Sequence, residues 1–171
     1  MKPADPLAQF HKFRDKGLLL DANLLLLYFV GCASPELIRS HPRLSRYQRE
    51  DFTLVAQIFH HFTKHGGVVT TPHILTEVTN LSDKLHGEHR LAFYGTISHQ
   101  IQVFTEETAP AKTLAESPAF PRFGLTDVAM AHLADRRLLV LTADRPLWGY
   151  LQQQKIAVIH FADLRRLCLA E

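Results

Sequence analysis

Short apolar runs alternate with amphipathic segments along most of this chain. Unbroken apolar runs of strand length are typical of parallel sheets that are covered on both faces. Such runs predict strands at residues 17–22, 68–70, 138–143 and 156–161. Helical spacing or helix-start signals predict helices at residues 23–30, 46–64, from 71, 87–104, from 126 or 127, 144–154 and 162–169. This alternation predicts an α/β fold, a three-layer α/β/α sandwich around a central, mainly parallel sheet.

Local signals set the expected ends of several helices. Thr71 followed by Pro72 predicts a helix start, because an oxygen-bearing cap precedes a proline at the first helical position. Ser45 and Gln48 resemble a capping box for the helix that should end near residue 64. Gly31 is expected to end the first helix.

Composition adds limits on the class of protein. The chain has 171 residues, of which 46% are hydrophobic and 21% charged, which favours a single folded domain over residues 1–171 with a core at about 17–161. A formal net charge of +2 permits binding to a polyanion without demanding it. Two cysteines without metal-ligand spacing favour a reducing compartment. No signal-peptide core or membrane-spanning run is present in the sequence, so we expect a cytoplasmic protein with no membrane contact.

Four carboxylates fall where the predicted topology would bring them together. Asp21 and Asp144 end strands, Glu77 lies early in a helix that follows a strand, and Asp127 opens a helix. The carboxyl ends of strands form the binding crevice of an open parallel sheet. Clustered carboxylates repel one another and call for cations, and oxygen ligands suit Mg²⁺ or Mn²⁺. Such ions bind phosphodiesters and lower the pKa of an attacking water.

Each carboxylate also has an explanation without chemistry. Asp144 and Asp127 suit the first turn of a helix, as a cap or as a favourable charge. Glu77 suits the surface of an amphipathic helix. Asp21 is the hardest to explain in this way, because isolated carboxylates are seldom buried without a partner.

Four segments resemble, in order, the motifs of the PIN-domain family of metal-dependent ribonucleases. They are "LLLDANLLL", "TPHILTEV", "GLTDVAMAHLA" and "LVLTADRPL", between about residues 17 and 161. The resemblance implies that their acids, Asp21, Glu77, Asp127 and Asp144, are catalytic and bind the metal. It also implies a parallel sheet and hydrolysis of RNA phosphodiester bonds. Many small bacterial members are toxins of the VapC-like type, so an antitoxin is an implied partner.

Polar neighbours of these acids complete the expected site. Asn23 and Thr142 are expected to orient carboxylates or water by hydrogen bonding, with a helix cap and an ordinary strand residue as the respective alternatives. Arg145, Arg43 and Arg46 are expected to contact RNA phosphates. Tyr47 suits stacking on a base. The alternative for this arginine-rich stretch is a solvated helix start, and for Arg145 an ion pair with a neighbouring acid.

Two other functions compete with a nuclease. A receiver-type phosphoacceptor would need a lysine at a late strand end, whereas the first lysine after "LTADR" is Lys155. A catalytically inactive PIN-like module would hold RNA or a protein partner, but a scaffold alone gives no reason for four repelling acids. A homodimer is a further expectation, because "LLLLYFV" and "FTLVAQIF" offer apolar helix faces; core packing explains these segments equally well.

Overall fold

Five parallel strands form one sheet with helices packed on its faces, in a computed structural model that describes residues 5–135 and 137–169. The strands are β1 (Leu18–Leu20), β2 (Val68–Thr70), β3 (Phe104–Glu106), β4 (Leu139–Thr142) and β5 (Val158–His160). The helices are α1 (Pro6–Phe13), α2 (Ala22–Ala33), α3 (Leu37–Ser40), α4 (Arg49–Thr63), α5 (Pro72–Leu81), α6 (Gly87–Gln100), α7 (Ala111–Ala115), α8 (Phe120–Ala134), α9 (Arg145–Gln153) and α10 (Phe161–Leu169). The predicted three-layer α/β fold with a parallel sheet is confirmed.

The strand order is β3-β2-β1-β4-β5, so the chain reverses its direction of travel across the sheet beside β1. β1 pairs with β2 on one side and with β4 on the other, through Leu18–Val68 and Leu18–Leu139. The connections on the two sides of such a reversal diverge and leave a crevice at the carboxyl ends of the central strands. The fold therefore places a crevice directly after β1 and β4.

The apolar helices proposed as an interface lie in the core. All residues from 24 to 30 in α2 are buried, and Tyr28 stacks on Phe59 of α4 at a ring distance of 4.1 Å. Burial of this face within the chain leaves it unavailable to a second copy, so the core-packing explanation is right for α2. None of the described helices is long and apolar enough to cross a membrane.

α2 ends at Ala33, which is near Gly31 as predicted, although Gly31 itself lies inside the helix. Gly31 serves close packing instead, because a Cβ at this position would overlap the ring of Phe52 in α4. The glycine lets two helices approach, and the helix ends only at Ser34.

Gly31→Ala should therefore destabilise the protein by about 1–3 kcal/mol, the usual cost of overpacking a core. Gly95→Ala is the matched control, because Gly95 is an exposed residue inside α6 whose added Cβ would meet nothing within 4 Å. Alanine at that site should be neutral or stabilising by up to about 1 kcal/mol. Urea unfolding of both variants measures the difference, and equal stability would contradict close packing at Gly31.

Two further boundaries differ from the sequence prediction. The segment predicted as helix to residue 104 leaves the helix at Gln100 and ends in β3, whose last two residues are exposed. An exposed edge strand of three residues carries no apolar run, so its sequence gives little strand signal. The capping residue of α4 is Gln48, whose backbone N–H donates to Asp51 Oδ2 at 2.7 Å, so the predicted Ser45–Gln48 box is wrong.

Candidate active site

Asp21 joins the end of β1 to the start of α2 and to the end of β4. Its Oδ1 accepts a hydrogen bond from the Leu24 N–H at 2.8 Å, which caps α2. Its Oδ2 accepts from the Thr142 hydroxyl at 2.7 Å and from the Ala143 N–H at 2.6 Å. The side chain is only 4% exposed, so Asp21 is a buried carboxylate held by three donors at the predicted crevice.

Burial raises the pKa of Asp21, and the negative charge of Asp144 raises it further, although the three hydrogen bonds act in the opposite direction. Desolvation of the charged form is the largest cause. An ionised carboxylate offers about four acceptor positions, and three are used here. The remaining position can take one further ligand, and a cation there would offset the desolvation of the charge.

The hydroxyl of Thr142 connects two of the predicted acids. It donates to Asp21 and accepts a hydrogen bond from the Asp144 N–H at 3.0 Å. Asp144 in turn caps α9, since its Oδ1 accepts from the Leu147 N–H at 2.7 Å. Thr142 therefore fixes the ends of two neighbouring strands relative to each other, as the predicted role of orienting carboxylates requires.

Replacing Thr142 by valine should destabilise the protein by about 1–3 kcal/mol, because Asp21 Oδ2 loses one of its two donors and the partly buried Asp144 N–H loses its acceptor. Thr142→Ser keeps the hydroxyl and is the control, with a smaller loss expected from the missing methyl group. Thermal or urea unfolding distinguishes the two variants. A valine variant as stable as the unmodified protein would show that the hydrogen bonds of the Thr142 hydroxyl do not stabilise the fold.

Asp127 lies among the other three acids. It follows the kink at Gly124, where φ is 72°, and stands near the start of the regular part of α8. Burial and the negative charges of Asp21, Asp144 and Glu77 raise the pKa of Asp127 to about 7. Because electrostatic influence falls with distance, each of the other three acids lies near enough to Asp127 to act on it through its charge.

Glu77 reaches this region from α5. It lines a cavity of about 360 Å³ between α5 and α8, together with Thr126, which directly precedes Asp127. Thr71 caps α5 as predicted, because its hydroxyl accepts from the Ile74 N–H at 3.1 Å. The predicted cap thus sets where α5 begins and so where Glu77 lies.

The predicted polar and basic residues are placed less uniformly. Asn23 is half-buried in the first turn of α2, and since Asp21 is the cap, the helix-cap explanation of Asn23 is wrong. Arg145 makes two hydrogen bonds to Asp163, at 3.2 and 3.3 Å, and lies over the ring of Trp148 at 4.8 Å. The ion pair with a neighbouring acid, which was the alternative explanation for Arg145, is therefore present. Arg145 directly follows Asp144 in the sequence.

Arg43 and Arg46 are exposed, as phosphate-binding side chains must be. Arg46 lies over the ring of Tyr47 and donates to its hydroxyl at 2.9 Å. The ring of Tyr47 is 4% exposed, so it is unavailable for stacking on a base. Burial, followed by the charge of Asp21, raises the pKa of Tyr47 to about 12.

Two groups at the site escaped the sequence prediction. The Ala143 N–H binds Asp21, but a backbone donor carries no side-chain signal. Tyr47 lies in an arginine-rich stretch that suggested an exposed ring, and nothing in the residues around it indicated that the ring would be buried.

The donor set suits a hard divalent ion, because all four predicted ligands are carboxylates and the charges of three of them act on the fourth, Asp127. Among residues 5–135 and 137–169, no three carboxylate, histidine or cysteine side chains form a preassembled metal-binding group. Two of the four acids direct one oxygen to a helix cap.

Comparison with protein-family models, curated proteins and solved structures finds no match to this chain.

Proposed function

We propose that this protein is a PIN-like endoribonuclease that depends on Mg²⁺ or Mn²⁺ and hydrolyses RNA phosphodiester bonds. The observation that carries the proposal is the buried carboxylate of Asp21, which three donors hold at the carboxyl ends of β1 and β4, beside the helix cap Asp144. Burial and the charges of Asp21, Asp144 and Glu77 also raise the pKa of Asp127 to about 7. Such convergence of acids from distant sequence positions is unfavourable without a cation, and sites with perturbed pKa values are frequently functional.

Asp21, Glu77, Asp127 and Asp144 would hold the divalent ion. The bound ion would neutralise the substrate phosphate and make water more acidic. Asp21 supplies the most rigid ligand, because three donors fix its carboxylate. Thr142 and the Ala143 N–H act as positioning groups, since they determine which acceptor position of Asp21 stays open.

Basic side chains near the acids would bind the RNA backbone. Arg46 is held by the Tyr47 hydroxyl beside Asp21, and Arg145 is held by Asp163 beside Asp144. Guanidinium groups fixed in this way lose less entropy on binding a phosphate. The order of motifs further suggests a toxin of the VapC-like type with an antitoxin partner in the cytoplasm.

A second candidate is a PIN-like module that binds RNA or protein without cleaving it. It is favoured by one observation, namely that the described residues contain no preassembled metal-binding group. The two proposals differ in what happens to bound RNA, so one assay separates them.

The test is incubation of single-stranded RNA with the purified chain and Mg²⁺ or Mn²⁺, followed by gel analysis, with EDTA and the Asp21→Asn variant as controls. A nuclease cleaves only with the metal and loses cleavage in the variant. RNA that is bound but stays intact with both metals would refute the nuclease and support the binding module.

A further inference from the structure

A second cavity lies along β5, the edge strand of the sheet, and is separate from the cavity at Glu77. We call it the β5 cavity. Its volume is about 330 Å³, near the lower end of the range of small-molecule sites, roughly 300–1,000 Å³. It is lined by β5, by Trp148 and Gln152 of α9, and by residues of α1 and α10. Its size therefore suits a small organic group.

His160 is a buried polar residue in the wall of the β5 cavity. It is 7% exposed, and its ring has a hydrogen-bonding partner in the backbone of Ala143. Burial and the charge of Arg145 lower the pKa of His160, so the ring is neutral at pH 7. A neutral imidazole beside Trp148 gives this wall a second flat ring.

The other walls suit a flat heteroaromatic guest. The ring of Trp148 lies 6.1 Å from that of His160 in an edge-on arrangement, and Val158 and Leu167 add apolar surface. Gln152 contributes an amide with both donors and an acceptor. Proteins recognise unstacked RNA bases by such combinations of aromatic or apolar faces and polar groups at the base edge.

The β5 cavity is also close to the proposed catalytic acids. His160 is in register with Thr142, so the two lie on adjacent strands about 4.8 Å apart. Thr142 is the residue that binds both Asp21 and Asp144. A group bound beside His160 is thus within the length of a nucleotide from the acids.

The rim of the β5 cavity carries net positive charge. Arg145 and Arg166 both bind the carboxylate of Asp163, so two guanidinium groups face one acid. Surplus positive charge at a cavity mouth attracts phosphate-bearing ligands. The rim therefore suits the backbone that is attached to a base.

We propose that the β5 cavity binds one unstacked base of single-stranded RNA next to the phosphate that is cleaved. The inference rests on the proposed function and deepens it, because it names where the substrate is read. It follows that cleavage prefers certain bases at one position beside the cut.

The chain contains a single tryptophan, Trp148, whose fluorescence therefore reports directly on the β5 cavity. The full chain is titrated without metal with each of the four nucleoside 5′-monophosphates, and with ribose 5-phosphate as a ligand that lacks a base. We expect a saturable change with at least one nucleotide and none with ribose 5-phosphate. If none of the four nucleotides changes the fluorescence of Trp148, or if ribose 5-phosphate changes it equally, the proposal is refuted.

A matched pair of variants locates the binding. Gln152→Ala should weaken nucleotide binding about threefold to tenfold, the loss expected for one hydrogen bond. Gln153→Ala alters the exposed neighbour on the same helix and should leave binding unchanged. Equal weakening by both variants would refute the assignment to this cavity.

The cleavage assay keeps the two proposals distinguishable. Nucleotide binding at Trp148 without metal-dependent cleavage refutes the nuclease and leaves a base-binding cavity. Metal-dependent cleavage with no nucleotide response at Trp148 refutes the β5 cavity as a base site and leaves the nuclease.

Discussion

Asp21→Asn is expected to lower the rate of RNA cleavage by about two to four orders of magnitude, because a metal ion contributes several kcal/mol to the transition state and each 1.4 kcal/mol is tenfold in rate. The variant removes the charge of the most buried of the four acids. Initial cleavage rates at saturating Mg²⁺ measure the effect. A rate within tenfold of the unmodified protein would contradict a catalytic role for Asp21.

Asparagine is the informative substitution because it separates charge from capping. Asp21 caps α2, and asparagine caps helices about as well as aspartate. The amide cannot accept all three hydrogen bonds that the carboxylate accepts, so a modest loss of about 1–2 kcal/mol in unfolding free energy is expected. A folded but inactive variant therefore identifies the charge as the essential property.

Two further substitutions test whether the loss of cleavage is specific to the acids of the site. Asp83→Asn is the control, since Asp83 is an exposed acid that pairs with Lys84 at 3.6 Å and lines neither the cavity at Glu77 nor the β5 cavity. It should leave cleavage unchanged. Asp144→Asn preserves the cap of α9 and should reduce cleavage, because Asp144 acts on both Asp21 and Asp127 through its charge. Full activity in Asp144→Asn would show that Asp144 serves only as a helix cap.

The sequence predicted those parts of the fold that local chemistry determines. β1 and β4 are fully buried, so their apolar runs are unbroken and easily recognised. Thr71 and Asp144 bind backbone N–H groups three residues ahead, and caps of this kind depend on adjacent residues alone. These elements therefore lie where the sequence predicted them, although β1 covers Leu18–Leu20 rather than residues 17–22.

Features that depend on tertiary contacts were harder to predict. Gly31 looked like a helix end because glycine often follows helices, whereas its real neighbour, Phe52, is 21 positions away in the sequence. β3 is stabilised by pairing with β2 rather than by an apolar run of its own. Both cases show a local preference that contacts from another element override.

In the candidate site, too, the features that depend on local sequence were predicted, and most of those that depend on tertiary contacts were not. The positions of the acids after strands indicated their edge of the sheet, because parallel strands share one carboxyl end. The Ala143 N–H and the imidazole of His160 gave no such signal, since their importance depends on strand register. Sequence reasoning therefore identified the charges of the site and one group that holds them, Thr142, and missed the backbone donor at Ala143.

A pH titration of stability should reveal the cost of bringing the acids together. The pKa of Asp127 is raised from 3.8 to about 7, so between these values the folded state binds more protons than the unfolded state. Stability is then fully present below about pH 4 and falls as the pH rises to 7. The slope is at most about 1.4 kcal/mol per pH unit; partial exposure screens the charge, so the total loss should be about 2 kcal/mol.

Asp127→Asn isolates this contribution. His41, His61 and His160 have lowered pKa values, so they add stability as the pH rises through their range, but they do so equally in both proteins. The difference in unfolding free energy between the variant and the unmodified chain, measured in urea from pH 4 to 8, should grow with pH.

Divalent ions should reverse the loss where Asp127 is ionised. Mg²⁺ or Mn²⁺ binds the ionised carboxylates of the folded state, so it should raise the melting temperature of the unmodified chain at pH 7.5 far more than at pH 4.5. In Asp127→Asn the rise at pH 7.5 should be smaller. Stabilisation that is equal at both pH values, or equal in both proteins, would mean that the ions bind elsewhere, because only a site that includes Asp127 couples metal affinity to this proton.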